Sequence, residues 1–69
     1  MTNPPIVRVN GKERELSGPT VADLLADLGL EGRFALVERN GSPVERESYP
    51  TVELEDGDEL VVARPVAGG

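Results

Sequence analysis

One segment constrains this chain more than any other. After Thr20, the residues Val21, Leu24, Leu25 and Leu28 fall at i, i+3, i+4 and i+7, which places them on one helix face, and Gly29 closes the pattern. Thr20 can accept the amide of Asp23, whose carboxylate suits the positive end of the helix dipole. Asp23 and Asp27 are expected to face water, Gly29 to take the left-handed C′ position, and Leu30 to pack back over the last turn. A single helix with one apolar stripe has to bury that stripe against a sheet. In 69 residues without a cysteine no disulfide can help, and a domain of this size buries only roughly 60% of its unfolded surface. Packing between one helix and one sheet must therefore hold the chain together.

The rest of the sequence supplies the strands. Val7 and Val9 alternate with Arg8, Asn10-Gly11 is the preferred pair for a two-residue type I′ turn, and Lys12 to Leu16 returns as an exposed strand of alternating charge. Ser17-Gly18-Pro19 separates this hairpin from the helix. Phe34 to Val37 is a continuous apolar run and reads as a central buried strand. Asn40-Gly41 marks a second turn, and 42–50 reads as polar and irregular. Val52 and Leu54 alternate with Glu53 and Glu55 as a brief strand, Asp56-Gly57-Asp58 turns the chain, and Leu60 to Ala63 makes the last strand. The expected core is Val21, Leu24, Leu25 and Leu28 with Val7, Val9, Phe34, Leu36, Leu54, Leu60 and Val62. The fold class is α+β: a β-grasp, or ubiquitin-like, arrangement with one helix on one face of a mixed four- to five-stranded sheet.

Charge and residue inventory exclude several functions. The 13 acidic side chains outnumber the 7 basic ones, giving a net charge of −6. Residues 35–69 hold 8 acidic and 3 basic side chains, so a phosphate backbone is repelled and nucleic-acid binding is disfavoured. Apolar runs are only a few residues long, against roughly 20 for a membrane span. The first five residues have neither the charge nor the apolar stretch of a secretion signal, so cytoplasm is expected. No histidine is present to activate Ser17 or Ser48 or to ligate a metal. Asp56 and Asp58 flank a glycine but lack the further oxygens and distal Glu of a calcium loop, and they read as turn residues bonding local amides. These absences point to a non-catalytic chain that binds no metal or cofactor.

The carboxyl end stands apart. Two terminal glycines arise by chance in about one chain in 200 at roughly 7% glycine usage, so a frayed end is the bland alternative. Residues 65–69 follow directly from the last strand and span at most about 17 Å when extended. An end without side chains at Gly68 and Gly69 can thread a narrow channel and deliver a bare carboxylate to another enzyme's active site. Without cysteine, that carboxylate is the one plausible covalent carrier group.

Taken together, Val9-Asn10-Gly11, Thr20-Val21 with Asp23-Leu24-Leu25, Ala35-Leu36-Val37, Asn40-Gly41, Val44, Arg46, Tyr49, Asp56-Gly57-Asp58 and Val66-Ala67-Gly68-Gly69 resemble the ThiS/MoaD-type sulfur carriers along nearly the whole chain. The resemblance implies a single ubiquitin-like sulfur-carrier domain over 1–69, with 65–69 as a flexible, extended reactive tail. It implies that an E1-like adenylating enzyme (ThiF/MoeB type) activates the Gly69 carboxylate with ATP, next to Gly68. Sulfur from a donor such as a cysteine desulfurase then displaces AMP and leaves a thiocarboxylate. ATP and the catalytic groups belong to the partner, and the free carrier is expected to be a monomer.

The stretch from Asn40 through Arg46 to Tyr49 is most similar to the thiamine-pathway carriers, although Glu45 replaces their usual proline. That assigns thiazole formation, and a thiazole synthase of the ThiG type, as the recipient. Arg64-Pro65-Val66-Ala67-Gly68-Gly69 is instead similar to the small subunit of molybdopterin synthase. Molybdopterin, tRNA thiolation, cysteine synthesis and a ubiquitin-like protein modifier therefore stand as alternatives. Arg64, Pro65, Val66 and Ala67 are expected to meet partners along the tail, and Phe34 and Leu60 to meet them through an apolar patch on the sheet.

Overall fold

In the computed structural model, which describes residues 4–64, the elements run β1 (Ile6–Val9), β2 (Lys12–Glu15), α1 (Val21–Asp27), β3 (Leu36–Arg39), β4 (Ser42–Val44) and β5 (Glu59–Ala63). The five strands form one sheet in the order β2-β1-β5-β3-β4. β1 pairs antiparallel with β2 and parallel with β5, while β3 pairs antiparallel with both β5 and β4. The last strand therefore lies in the middle of the sheet, between the first hairpin and the second.

Both hairpins follow from Asn-Gly pairs. Asn10 and Gly11 have φ of 51° and 85°, and Asn40 and Gly41 have 51° and 86°. Positive φ at both central residues is what a type I′ turn demands, and its twist matches that of the strands it joins. All four residues of β2 are exposed, and their alternating charges guard an outer edge against pairing with another chain. The second hairpin corrects the expectation that 42–50 is irregular, because Ser42–Val44 pairs with β3. Pro43 sits within it, tolerated because β4 is the other edge of the sheet.

The helix is held at both ends. Thr20 Oγ1 accepts the Asp23 amide at 3.1 Å, and Asp23 Oδ2 accepts the Thr20 amide at 2.9 Å, a reciprocal capping box. The Val21 and Ala22 amides donate to the carbonyls of Val52 and Tyr49. The Leu54 amide donates to Pro19. Residues 49–54 thus satisfy the first turn of the helix, and the brief strand expected at Val52 and Leu54 shrinks to a single bridge between Glu53 and Thr20. At the other end Gly29 has φ 72°, its amide reaches Ala26, and the Leu30 amide reaches Leu25. That pair of bonds is a Schellman closure, and Leu30 packs against the core as expected.

Val7, Val9, Val21, Leu24, Leu25, Leu54 and Leu60 form the core with Leu16, Ala35, Val37 and Tyr49, and Leu28 and Val62 are packed at its margin. Phe34 and Leu36, expected inside, are 51% and 52% exposed. Gly32–Phe34 forms a 3₁₀ turn, so β3 begins at Leu36, later than the apolar run suggests. Ala35 and Val37 then face the helix, and the pleat turns Leu36 to the opposite side. Tyr49, not expected inside, is buried in the core, and its hydroxyl donates to the Ala35 carbonyl at 2.8 Å. Asp27 stays at the surface, as expected, and makes a contact there. It accepts the Ser17 amide at 2.8 Å and the Ser17 hydroxyl at 2.7 Å, joining the end of β2 to the end of the helix.

Candidate functional site

Strand β5 ends one residue before Arg64, the last described residue, and its surroundings make the candidate site. Leu60 is paired on both edges, with Val9 of β1 and with Arg39 of β3, and the last residue, Ala63, pairs with Leu36. The chain therefore leaves the centre of the sheet at Arg64, which is exposed. Pro65, Val66, Ala67, Gly68 and Gly69, expected to carry the reactive terminus, lie outside the described residues.

Two surfaces meet where the chain leaves. On the helix side, a groove of about 440 Å³ is floored by Val9, Leu28 and Val62 and edged by Lys12, Arg14 and Arg64. On the open side, β5 presents Val61 and β3 presents Leu36, each 52% exposed. The register places Leu36 opposite Ala63, and Val61 opposite Glu38. Phe34 lies two residues before Leu36, at the end of the sheet where β5 finishes, and the Arg33 guanidinium lies 4.8 Å from its ring centroid. Leu36, Val61 and Ala63 thus form an apolar strip leading to Arg64, with Phe34 at its end.

Phe34 is exposed, and it stands on a 3₁₀ turn and not on the sheet. Leu60 is corrected: it is 2% exposed, facing the helix inside the core, where no partner can reach it. Its neighbour Val61 takes the outward position. Leu36, Val61 and Ala63 were missed at the level of sequence. The signal that finds them is the pleat of β5, which faces Leu60 and Val62 inward and so turns Val61 and Ala63 outward.

A polar cluster holds the opposite end of β5. Asp58, 7% exposed, accepts the Glu55 amide and Arg39 Nε on one oxygen, both at 2.9 Å, and Asn40 Nδ2 on the other at 3.0 Å. Burial pushes its carboxyl upward, but these donors and the Arg39 charge outweigh that and hold it below the ordinary carboxylate value. Gly57 has φ 86° and Asp56 Oδ1 accepts the Ile6 amide. Asp56-Gly57-Asp58 is therefore a structural turn whose acids bond backbone, as its composition suggests. Among the described residues no three of Asp, Glu, His or Cys cluster to hold a metal.

A central strand flanked by two hairpins, with one α-helix packed across a single face, defines a β-grasp, ubiquitin-like domain. The chain belongs to the ThiS family, whose profile residues 7–69 match. It is 36% identical over 66 residues to the sulfur carrier protein ThiS of Bacillus subtilis, covering 93% of this chain and all of that one. It is also 42% identical over 62 residues to a thiazole synthase of Paramagnetospirillum magneticum, but it spans only 19% of that protein's length. The crystal structure of the thiamine biosynthesis protein ThiS from Geobacter metallireducens superposes with a TM-score of 0.75 at 31% identity, covering 93% of this chain and 99% of that one. The solution structure of the same organism's thiamine biosynthesis protein gives 0.73.

Proposed function

We propose that this chain carries sulfur for thiamine biosynthesis as a thiocarboxylate on Gly69. One observation carries the reading: a match over 66 residues to the whole of a sulfur carrier relative, on a fold whose central strand leads directly into Pro65 to Gly69. In the proposed reaction a Gly69 carboxylate oxygen attacks the α-phosphorus of ATP, pyrophosphate leaves, and an acyl adenylate forms. A sulfide equivalent then attacks the carbonyl carbon and AMP leaves with the bonding pair. The chain supplies the carboxylate and the docking surface, while ATP binding and catalysis reside in the adenylating partner. It acts as a protein co-substrate in the cytoplasm and binds no cofactor of its own.

Thiazole synthase is the proposed recipient, supported by the 62 residues shared with a longer chain of that name. The strip of Leu36, Val61 and Ala63 is the proposed docking face for the enzymes that take the tail. Its position beside Arg64 lets one partner hold the body of the carrier and the root of the tail together.

Intact mass measurement tests the chemistry. After incubation with a ThiF-type adenylating enzyme, ATP and sulfide, the full chain is expected to gain the mass of one oxygen replaced by sulfur. A chain lacking Gly68 and Gly69 should remain folded and unchanged in mass. Absence of the gain, with the adenylating enzyme active on its own carrier, would overturn the reading.

A further inference from the structure

Asn10 does more than make a turn. The parallel pairing of β1 with β5 ends at Val9 and Leu60, and the Asn10 amide makes the last backbone bond of that ladder, to the Leu60 carbonyl at 2.9 Å. There the chain turns away through Gly11, and the next polar groups of β5 on that edge, those of Val62, lose their strand. The Asn10 side chain replaces it. Its Oδ1 accepts the Val62 amide at 2.9 Å, and its Nδ2 donates to the Val62 carbonyl at 3.1 Å. A primary amide offers the same donor and acceptor as a peptide group, so Asn10 extends the ladder by one residue. With β3 holding Ala63 on the other edge, this is the final tie on the β1 side before residues 65–69.

The second turn supplies a built-in comparison. Asn40 holds the same position in the other hairpin, at the same φ of 51°. Its Oδ1 accepts the Glu59 amide at 2.9 Å and its Nδ2 reaches Asp58. The two asparagines thus clamp opposite edges of one strand, Asn40 where it begins and Asn10 where the tail departs.

We propose that Asn10 is a positioning residue for the reactive terminus, fixing through both polar groups of Val62 the point at which the chain leaves the sheet. The proposal rests on the carrier reading above. Without this clamp the segment from Val62 onward is held on one edge only, and a partner must order more backbone when it takes the tail. Ordering one further residue is worth about a tenfold change in affinity. That cost arises on binding, so it raises KM for the carrier and leaves kcat unchanged.

The test compares Asn10→Gly with Asn40→Gly in the full-length protein. Glycine keeps the positive φ that each turn needs and removes only the side-chain amide. Hydrogen exchange should show the Val62 amide losing protection in N10G alone, with the Val61 and Ala63 amides unchanged. Sulfur loading by a ThiF-type enzyme with ATP and sulfide should show KM raised about tenfold in N10G but unchanged in N40G. Equal loading of the two variants, or equal losses that follow their stability, would overturn the positioning role. Failure of the wild-type chain itself to load would instead overturn the carrier reading, and the proposal with it.

Discussion

Among the described residues, Asp58 has the side chain with the most hydrogen bonds, and its chemistry sets a pH dependence. Burial disfavours its charge, but the Glu55 amide, Asn40 and Arg39 together keep its carboxyl below the ordinary 3.8. The folded state therefore binds fewer protons than the unfolded one near pH 4, and stability rises with pH there. Asp58's contribution is complete above 3.8 and is lost as the pH falls through the lower folded value. Asp58→Asn keeps one acceptor but loses the charge and the bond from Asn40. It should lower stability by about 2 kcal/mol at pH 7. Urea unfolding at stepped pH should show that gap constant down to pH about 5 and narrowing below about 4. Asp27, whose carboxyl is lowered by the Ser17 hydroxyl and amide and by Arg14, titrates in the same direction in both proteins and cancels from the difference. A gap independent of pH would mean that Asp58 acts through shape and not charge. The turn role of Asp56-Gly57-Asp58 was legible in the sequence, but Arg39 and Asn40 as its partners were not, because 18 and 19 residues separate them from Asp58.

Among the elements, the helix was the most legible, because its signals are local. Thr20, Asp23 and Gly29 act within one turn of the residues they cap. Seven residues are too few for a helix to persist alone in water, so cap and packing must supply what length does not. Thr20→Ala removes the bond to the Asp23 amide and leaves Asp23 half of its reciprocal pair. It should cost about 1–2 kcal/mol in chemical denaturation with the native circular dichroism retained. A loss below about 0.3 kcal/mol would show that the carbonyls of Tyr49 and Val52 hold the helix start by themselves. The strands were legible where alternation is strict, in β1 and β2, and misread where apolar residues run together. Phe34 to Val37 carries no period of its own. Its phase is fixed by the pairing of Val37 with Val62 and Val44, which are distant in sequence. The same distance hid β4, which exists because β3 offers it an edge, and removed the strand at Val52 and Leu54, whose backbone the helix claims.

At the scale of the whole molecule, the two faces of the sheet do different work. The helix packs across one face and buries most of its apolar side chains, and the other keeps Leu36, Val61 and Ala63 in water although a domain this small has little apolar surface to spare. The strip was not legible in the sequence, because it exists only once β3 and β5 are paired in register. The docking proposal accounts for an apolar strip that adds nothing to the core and ends beside Arg64. Leu36→Asp tests this. The side chain is already half in water, so stability should change by no more than about 0.5 kcal/mol. A carboxylate placed in a partner's apolar contact is left without its hydration, so KM for loading by the adenylating enzyme should rise about tenfold or more. Since the chain already carries −6, one further negative charge changes long-range steering only slightly, and repeating the assay at high salt separates that effect from the local one. A KM deficit that persists in salt locates the contact at Leu36, whereas a deficit that salt abolishes is one of charge alone. An unchanged KM would move the docking surface off this face, toward the cationic groove of Lys12, Arg14 and Arg64 on the other side of the same exit.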